Sequence, residues 1–370
     1  MRNPIYVRAT VSWRKAWLCP LVLACLCAGA MAEAPKAPEA PEAPRAPAMN
    51  PDKATSLAGL SVTRAGARLV SAGARGVILL SDDNGRTWRQ AKVPVSAALT
   101  RVRFADSRNG WAVGHGGVVL ATRDAGETWQ KQLDGAAAAQ LELAAARRED
   151  GDESRRLAEA RRLVQDGSDK PFLDVHFTDA QHGMVVGAYG LAFRTDDGGK
   201  TWQSMMGKVA AGDGRHLYAI APSKGALYLF GEQGTVLGSV DGGKTFARMA
   251  FPGKGTIFGA LSSPTGDVLL AYGLKGNVYR SGDAGKRWER VELPNVSMVS
   301  AIRLDAQSIL LVDESGLTYR SNDDGRHFTA AARVQPATDL IQVSDGAVLG
   351  SGLRGTFRIA GRNEAQGANP

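Results

Sequence analysis

From about residue 57 onward, short apolar runs alternate with glycine-rich corners, as at 99–104, 111–114 and 118–122. Apolar runs of that length, bounded by glycine, read as strands. The pattern predicts an all-β domain. One stretch departs from it. Residues 134–169 are rich in Ala, Glu, Arg and Leu and contain no aromatic residue. That composition favours helix, and Gly151 with Asp152 would break it into two.

The strands fall into repeats. Six segments share one template, Ser/Thr-x-Asp-x-Gly-x-x-aromatic: SDDNGRTW at 81–88, TRDAGETW at 122–129, TDDGGKTW at 195–202, SVDGGKTF at 239–246, SGDAGKRW at 281–288 and SNDDGRHF at 321–328. The aspartates Asp83, Asp124, Asp197, Asp241, Asp283 and Asp323 suit an Asx-turn, accepting backbone N–H groups. The glycines Gly85, Gly126, Gly199, Gly243, Gly285 and Gly325 can take positive φ without steric cost. The aromatics Trp88, Trp129, Trp202, Phe246, Trp288 and Phe328 can bury their rings between repeats. These residues are read as structural. A calcium loop would need six or more converging oxygens, and the template offers one reliable carboxylate.

A Gly-x-x-Gly corner precedes each box. It ends at Gly76, Gly117, Gly190, Gly234 and Gly276, then at Gly316 with Asp313 in place of the first glycine, and finally at Gly355 with no box after it. The spacings are 41, 73, 44, 42, 40 and 39 residues. Roughly forty residues make one four-stranded propeller blade. Seven corners therefore predict a seven-bladed β-propeller of four-stranded antiparallel blades. The long spacing places the helical insertion between blades two and three. It joins a fourth strand to a first strand, so it should overhang the Gly-x-x-Gly face, opposite the boxes. The last blade stops near Ile359, and a strand from 50–57 is expected to close it, covering an otherwise open edge.

Composition changes the picture at the N-terminus. Arg2, Arg8, Arg14 and Lys15 precede an apolar run, and Ala30-Met31-Ala32 is a small-x-small cleavage site. Residues 1–32 read as a secretory signal peptide, which implies export to the periplasm. All three cysteines, Cys19, Cys25 and Cys27, lie inside it, so the mature chain has no thiol chemistry. The leader also carries four basic and no acidic residues, so a net charge of +8 falls to +4. That balance gives no support to nucleic-acid binding. Within the linker 33–56, Pro35, Pro38, Pro41, Pro44 and Pro47 recur every third residue, the period of a polyproline II spacer. The propeller is expected over 57–361 and a disordered tail over 362–370.

No catalytic constellation stands out. The five histidines, His115, His176, His182, His216 and His327, lack metal-ligand spacing. His182 and His327 fall in turns, while His176 and His216 are expected on innermost strands. The template is similar to the Asp-box, or BNR, repeat of sialidase-like propellers, which makes a glycoside hydrolase the enzymatic alternative. Its substrate-binding arginines and acid/base carboxylates lie far apart in sequence. The Phe-Arg-Ile-Pro motif typical of sialidases has a counterpart only in Phe357-Arg358-Ile359-Ala360, which lacks the proline and reads as strand.

The phrases Gly110-Trp111-Ala112-Val113-Gly114 and Asp196-Asp197-Gly198-Gly199-Lys200-Thr201-Trp202 carry a different likeness. Over about 57–360 the chain resembles the photosystem II stability/assembly factor family of seven-bladed Asp-box propellers. The helical insert and the proline spacer depart from that family. The resemblance implies a non-enzymatic assembly or accessory factor that holds a subunit of a membrane protein complex on an arginine-rich face. It implies a monomer with a protein partner, no cofactor, no metal and no nucleic acid. The expected partner-binding surface is the ring of corner residues Arg75, His115, Tyr189, Glu232, Gln233, Lys275 and Arg354, roofed by the insert.

Overall fold

The computed structural model describes residues 56–150, 154–209 and 214–359. The expected leader, the proline-rich spacer, residues 50–55 and the tail lie outside them. The described chain forms seven antiparallel sheets, six of four strands and a last one of three. Within each sheet the strands follow chain order from the axis outward. The innermost strands are Gly59–Ala65, Leu99–Phe104, Phe172–Phe177, Leu217–Ser223, Ile257–Ser262, Met298–Arg303 and Asp339–Gln342. His216 stands one residue ahead of the fourth of these, a small correction to its expected place on the strand.

The core lies between blades. Trp111, Phe172, Phe193 and Phe230 are fully buried. Trp111 stacks on Phe177 at 3.4 Å, and Trp202 meets the same ring edge-on at 6.2 Å. The box aromatics Trp129, Trp202, Phe246 and Trp288 are buried, whereas Trp88 and Phe328 are only partly covered. Each fully buried tryptophan removes roughly 200 Å² from water, about 5 kcal/mol before entropy is charged. The fourth strands begin one residue after the aromatic, not at it, as with Gln130–Leu133 and Ala247–Arg248. The aromatic N–H is used elsewhere: Trp129 donates to Lys92 O and Phe246 to Lys208 O, both on connectors into the same blade.

The boxes close by one repeated set of bonds. In the first, the Ser81 hydroxyl donates to Asp83 Oδ1 (2.8 Å) and accepts from Gly85 N (2.8 Å). Asp83 Oδ1 also accepts from Arg86 N and Thr87 N, and Oδ2 from Thr87 Oγ1 at 2.6 Å. The Trp88 indole donates to Gly85 O. Both central residues of the turn have positive φ, Asn84 at 61° and Gly85 at 81°. Sequence reasoning assigned that geometry to the glycine alone, and gave the first-position hydroxyl no role.

The insert forms two helices, α1 (Gly135–Asp150) and α2 (Arg155–Asp166). Asp134 caps the first through Ala137 N, and Ser154 caps the second through Leu157 N. Gly167, at φ 81°, ends α2. Leu143, Ala146, Leu157 and Ala160 pack the pair together. The Gly117 corner lies directly against Gly135, so the insert rises from the Gly-x-x-Gly face.

The seventh blade packs on the first. Thr338 Oγ1 donates to Gly59 O, Ser344 Oγ to Asn84 Oδ1, and Leu69 shares a cluster with Leu349 and Val343. Ser56 and Leu57 are not in a strand. Leu57 packs on Val77, Leu79 and Trp88 instead. The remainder of the expected closing strand lies outside the described residues.

Candidate binding face

Five of the corners are single 3-10 turns: Ala74–Gly76, His115–Gly117, Ala188–Gly190, Glu232–Gly234 and Leu274–Gly276. The glycine before each lies against the next inner strand. A Cβ on Gly73 would meet Ala58 O at 2.1 Å, and one on Gly114 would meet Ala98 O at 2.1 Å. The central residue of each turn is left-handed: Arg75 (56°), Gly116 (72°), Tyr189 (55°), Gln233 (51°) and Lys275 (53°). A side chain in that conformation costs about 1–2 kcal/mol that glycine avoids. Blade two accepts glycine there. Four blades keep an exposed side chain despite the strain. Blade six builds its corner differently, with Asp313 Oδ1 accepting from Ser315 N and Leu317 N.

All seven sequence-selected residues lie on this face. Arg75, His115, Tyr189, Gln233, Lys275 and Arg354 are exposed, and Glu232 is half-buried. The structure brings only some of them together. Tyr189 packs edge-on against His216 at 5.0 Å, and His216 Nδ1 lies 3.2 Å from Glu232 Oε1. The row continues from His216 to Tyr218 (6.1 Å) and from Tyr218 to Phe258 (5.6 Å). Arg75, Lys275 and Arg354 stand apart on blades one, five and seven.

Tyr218 and Phe258 were missed by sequence reasoning. They occupy a bulge that recurs near the start of six inner strands, shown by register shifts such as Leu99/Arg101, Leu217/Ala219 and Ile257/Gly259. The extra residue interrupts the pairing at the Gly-x-x-Gly end of the strand. In chain order these are Leu60, Thr100, Leu173, Tyr218, Phe258 and Val299, all half-buried. The signal was present as apolar pairs, Leu217-Tyr218 and Ile257-Phe258, that break period-two alternation.

The insert meets this face above blade three. Glu142, buried on α1, accepts from Arg156 Nε (2.8 Å) and Nη2 (3.1 Å) on α2, and from Ser204 Oγ on the outer strand of blade three. Between the helices and the rim is a cavity of about 940 Å³, lined by Leu163, Tyr189, Met206 and Val209 among charged residues. Lys170 Nζ lies 5.4 Å above the Tyr189 ring, a cation–π contact. Burial would lower the Lys170 pKa, but Asp169 and Asp166 hold it above its ordinary value.

Beneath the mouth, one ion cluster crosses the channel. Arg101 of blade two places Nε 3.3 Å from Asp174 Oδ1 of blade three and Nη1 3.3 Å from Asp339 Oδ2 of blade seven. Burial alone would lower the Arg101 pKa; Asp174 and Asp339 keep it above its ordinary value. From blade five the Tyr272 ring lies over Gly259, where a Cβ would meet Oη at 2.2 Å. Burial pushes that phenol up to about 12. Of the remaining histidines, His176 is half-buried on the inner strand of blade three, opposite Met184, while His182 and His327 are exposed beside Asp179 and Asp323. Among the described residues no three carboxylate, imidazole or thiol side chains converge as a metal site.

The sequence profile described as "Photosynthesis system II assembly factor YCF48" matches residues 80–152 and 155–302, more than half of the chain. The chain belongs to the YCF48 assembly-factor family. A curated relative, the photosystem II assembly lipoprotein Ycf48 of Synechococcus sp. (strain CC9902), is 30% identical over 100 residues; the match spans 26% of this YCF48-family chain and 30% of that relative. Among solved structures, YCF48 bound to D1 peptide superposes with a TM-score of 0.59 at 17% identity, covering 83% of this chain and 94% of that one. YCF48 from Cyanidioschyzon merolae gives 0.59 at 14%, covering 85% and 96%. A GH74 enzyme from Niastella koreensis gives 0.60 at 12%, covering 82% of this chain and 53% of its own. At these identities the superpositions establish the shared propeller and nothing finer.

Proposed function

We propose that this YCF48-family propeller is a non-enzymatic, exported assembly or accessory factor that holds an extended segment of a membrane protein subunit on its insert-bearing face. The observation that carries this reading is the row Tyr189–His216–Tyr218–Phe258, which runs from the insert cavity to the channel mouth. Aromatic rings on a rigid rim give large contact area at little entropic cost. Exposed Leu274 and Leu353 extend the apolar surface, and Arg75, Lys275 and Arg354 add cations that make no ion pair among the described residues. The solved structure of YCF48 bound to D1 peptide supports a peptide as the ligand class. Against the glycosidase alternative, Asp174 and Asp339, which flank the axis, are both engaged by Arg101.

The test is a titration of the mature chain with D1-derived and other membrane-subunit peptides. Tyr189→Ala and Lys275→Glu, both at exposed positions, should each weaken binding about tenfold, the scale of one interface hot spot. Unchanged affinity in both would remove the face assignment. Turnover of fluorogenic glycosides that is abolished by one carboxylate substitution would replace the reading with the enzymatic one.

A further inference from the structure

Strand side chains return to the same face every second residue. Two positions beyond the Arg101 level, toward the Asp-box end, the inner strands therefore point into the channel again. At that register blades one to three carry Thr63, Arg103 and His176; blades four to seven carry Ala221, which is buried between blades, and the half-buried Leu261, Ile302 and Ile341. The register is split into a polar arc on three adjacent blades and an apolar arc on the other four.

Arg103 is half-buried and, among the described residues, makes no hydrogen bond or ion pair. Its charge acts on His176 of blade three and on Tyr272 of blade five. The His176 Nε2 is buried without a hydrogen-bond partner. Burial holds that imidazole below its ordinary pKa, so the neutral ring has one N–H to give. The carboxylates that could neutralise Arg103 are occupied. Asp174 accepts from Val175 N and Ile220 N, Asp339 from Ser61 Oγ and Val62 N, and both face Arg101. A partly buried cation without a counter-charge is costly. The same level offers apolar wall directly opposite.

We propose that the Asp-box end of the channel binds a carboxylate carried on a small apolar body. The carboxylate seats against the Arg103 fork, which suits two parallel N–H···O bonds, and takes a third from His176. The body lies on Leu261, Ile302 and Ile341. A free aliphatic monocarboxylate and a peptide carboxy-terminus ending in an apolar residue share this chemistry. The site is at the opposite end of the channel from the proposed partner face and does not depend on it.

Calorimetric titration of the mature chain decides the matter with four probes: isovalerate, isovaleramide, and a short peptide ending in leucine as its free acid and as its amide. At least one acid should bind, and at least tenfold more tightly than its amide. Which acid binds identifies the source. Arg103→Gln should remove that preference, and Lys275→Glu on the far face should leave it intact. Equal binding of acid and amide, an unaltered preference in Arg103→Gln, or no binding by any probe would overturn the proposal. If Arg103→Gln fails to fold, the acid–amide pair on the unaltered chain still decides.

Discussion

Each Asp-box carboxylate accepts backbone N–H groups on one oxygen and a donor from the seventh position on the other. That donor is threonine in four boxes, Arg287 Nε for Asp283 and His327 Nδ1 for Asp323. The threonine hydroxyls and then the backbone hold Asp83 and Asp197 at about 2; Arg287 does the same for Asp283. Because the folded values lie below the unfolded ones, these bonds are fully present above about pH 4 and are lost as pH falls toward 2. Melting temperature should be flat from pH 8 to 5 and drop between pH 4 and 2. Asp197→Asn should melt lower at neutral pH, by about 1–2 kcal/mol for the weakened turn, yet fall less steeply in acid. An equally steep fall in the variant would show that the acid response resides elsewhere. Left-handed strain makes a second test. Ala284, at φ 56° in the fifth box, carries a Cβ in a conformation glycine adopts freely. Ala284→Gly should stabilise by about 0.5–1 kcal/mol in urea unfolding. Gln233→Gly, strained alike at 51° on the partner face, should stabilise similarly while weakening partner binding.

At the scale of elements, the insert is held to the blades by the buried Glu142–Arg156 pair, through Ser204, and by Ala138, Leu141 and Leu163, which pack in the cluster of blades two and three. Glu142→Ala would leave Arg156 without its buried counter-charge and free Ser204. Breaking a buried pair costs roughly 3–5 kcal/mol. The loss should be local, since α1 and α2 form their own small core. Hydrogen exchange over 135–166 should quicken by about two orders of magnitude, with the blades unaffected; uniform quickening throughout would show that the insert is integral to the ring. The insert also marks how much the sequence revealed. Its two helices, their break near Gly151 and the face they overhang followed from composition and blade connectivity. Blade number followed from the seven corners at roughly forty-residue spacing. What lay hidden depended on contacts between distant blades. Nothing local tells that Arg101 meets Asp339, 238 residues away, or that a bulge would gather Tyr218 and Phe258 at the mouth. Of the seven chosen face residues, Tyr189 and Glu232 are joined through His216, which was not among them.

For the whole molecule the question is what holds the last blade to the first. Among the described residues the seventh sheet has three strands, and Asp339 on its inner strand reaches three other strands at once. It accepts from Ser61 Oγ (3.0 Å) and Val62 N (3.1 Å) of blade one and Ser300 Oγ (3.3 Å) of blade six, and it faces Arg101 Nη1 (3.3 Å) of blade two. Its own strand supplies Leu340 N at 3.1 Å. Asp174 plays a smaller version of the part, accepting Ile220 N of blade four and facing Arg101 Nε. Both carboxylates are more than nine-tenths buried, so each removal leaves donors that water does not easily reach. The two are not equivalent. Asp339→Ala strips donors on blades one and six and half of the Arg101 charge balance, at the seam where the ring begins and ends. Asp174→Ala strips one backbone donor within the continuous run of blades and leaves Asp339 holding Arg101. Asp339→Ala should therefore lower unfolding free energy by about 3–5 kcal/mol and Asp174→Ala by distinctly less. Urea midpoints should fall in that order with the slope unchanged, since the ring still unfolds as one unit. If the two variants lose the same stability, Asp339 is an ordinary buried acceptor, and the seam is held by the apolar contacts of Leu69, Val343 and Leu349 instead.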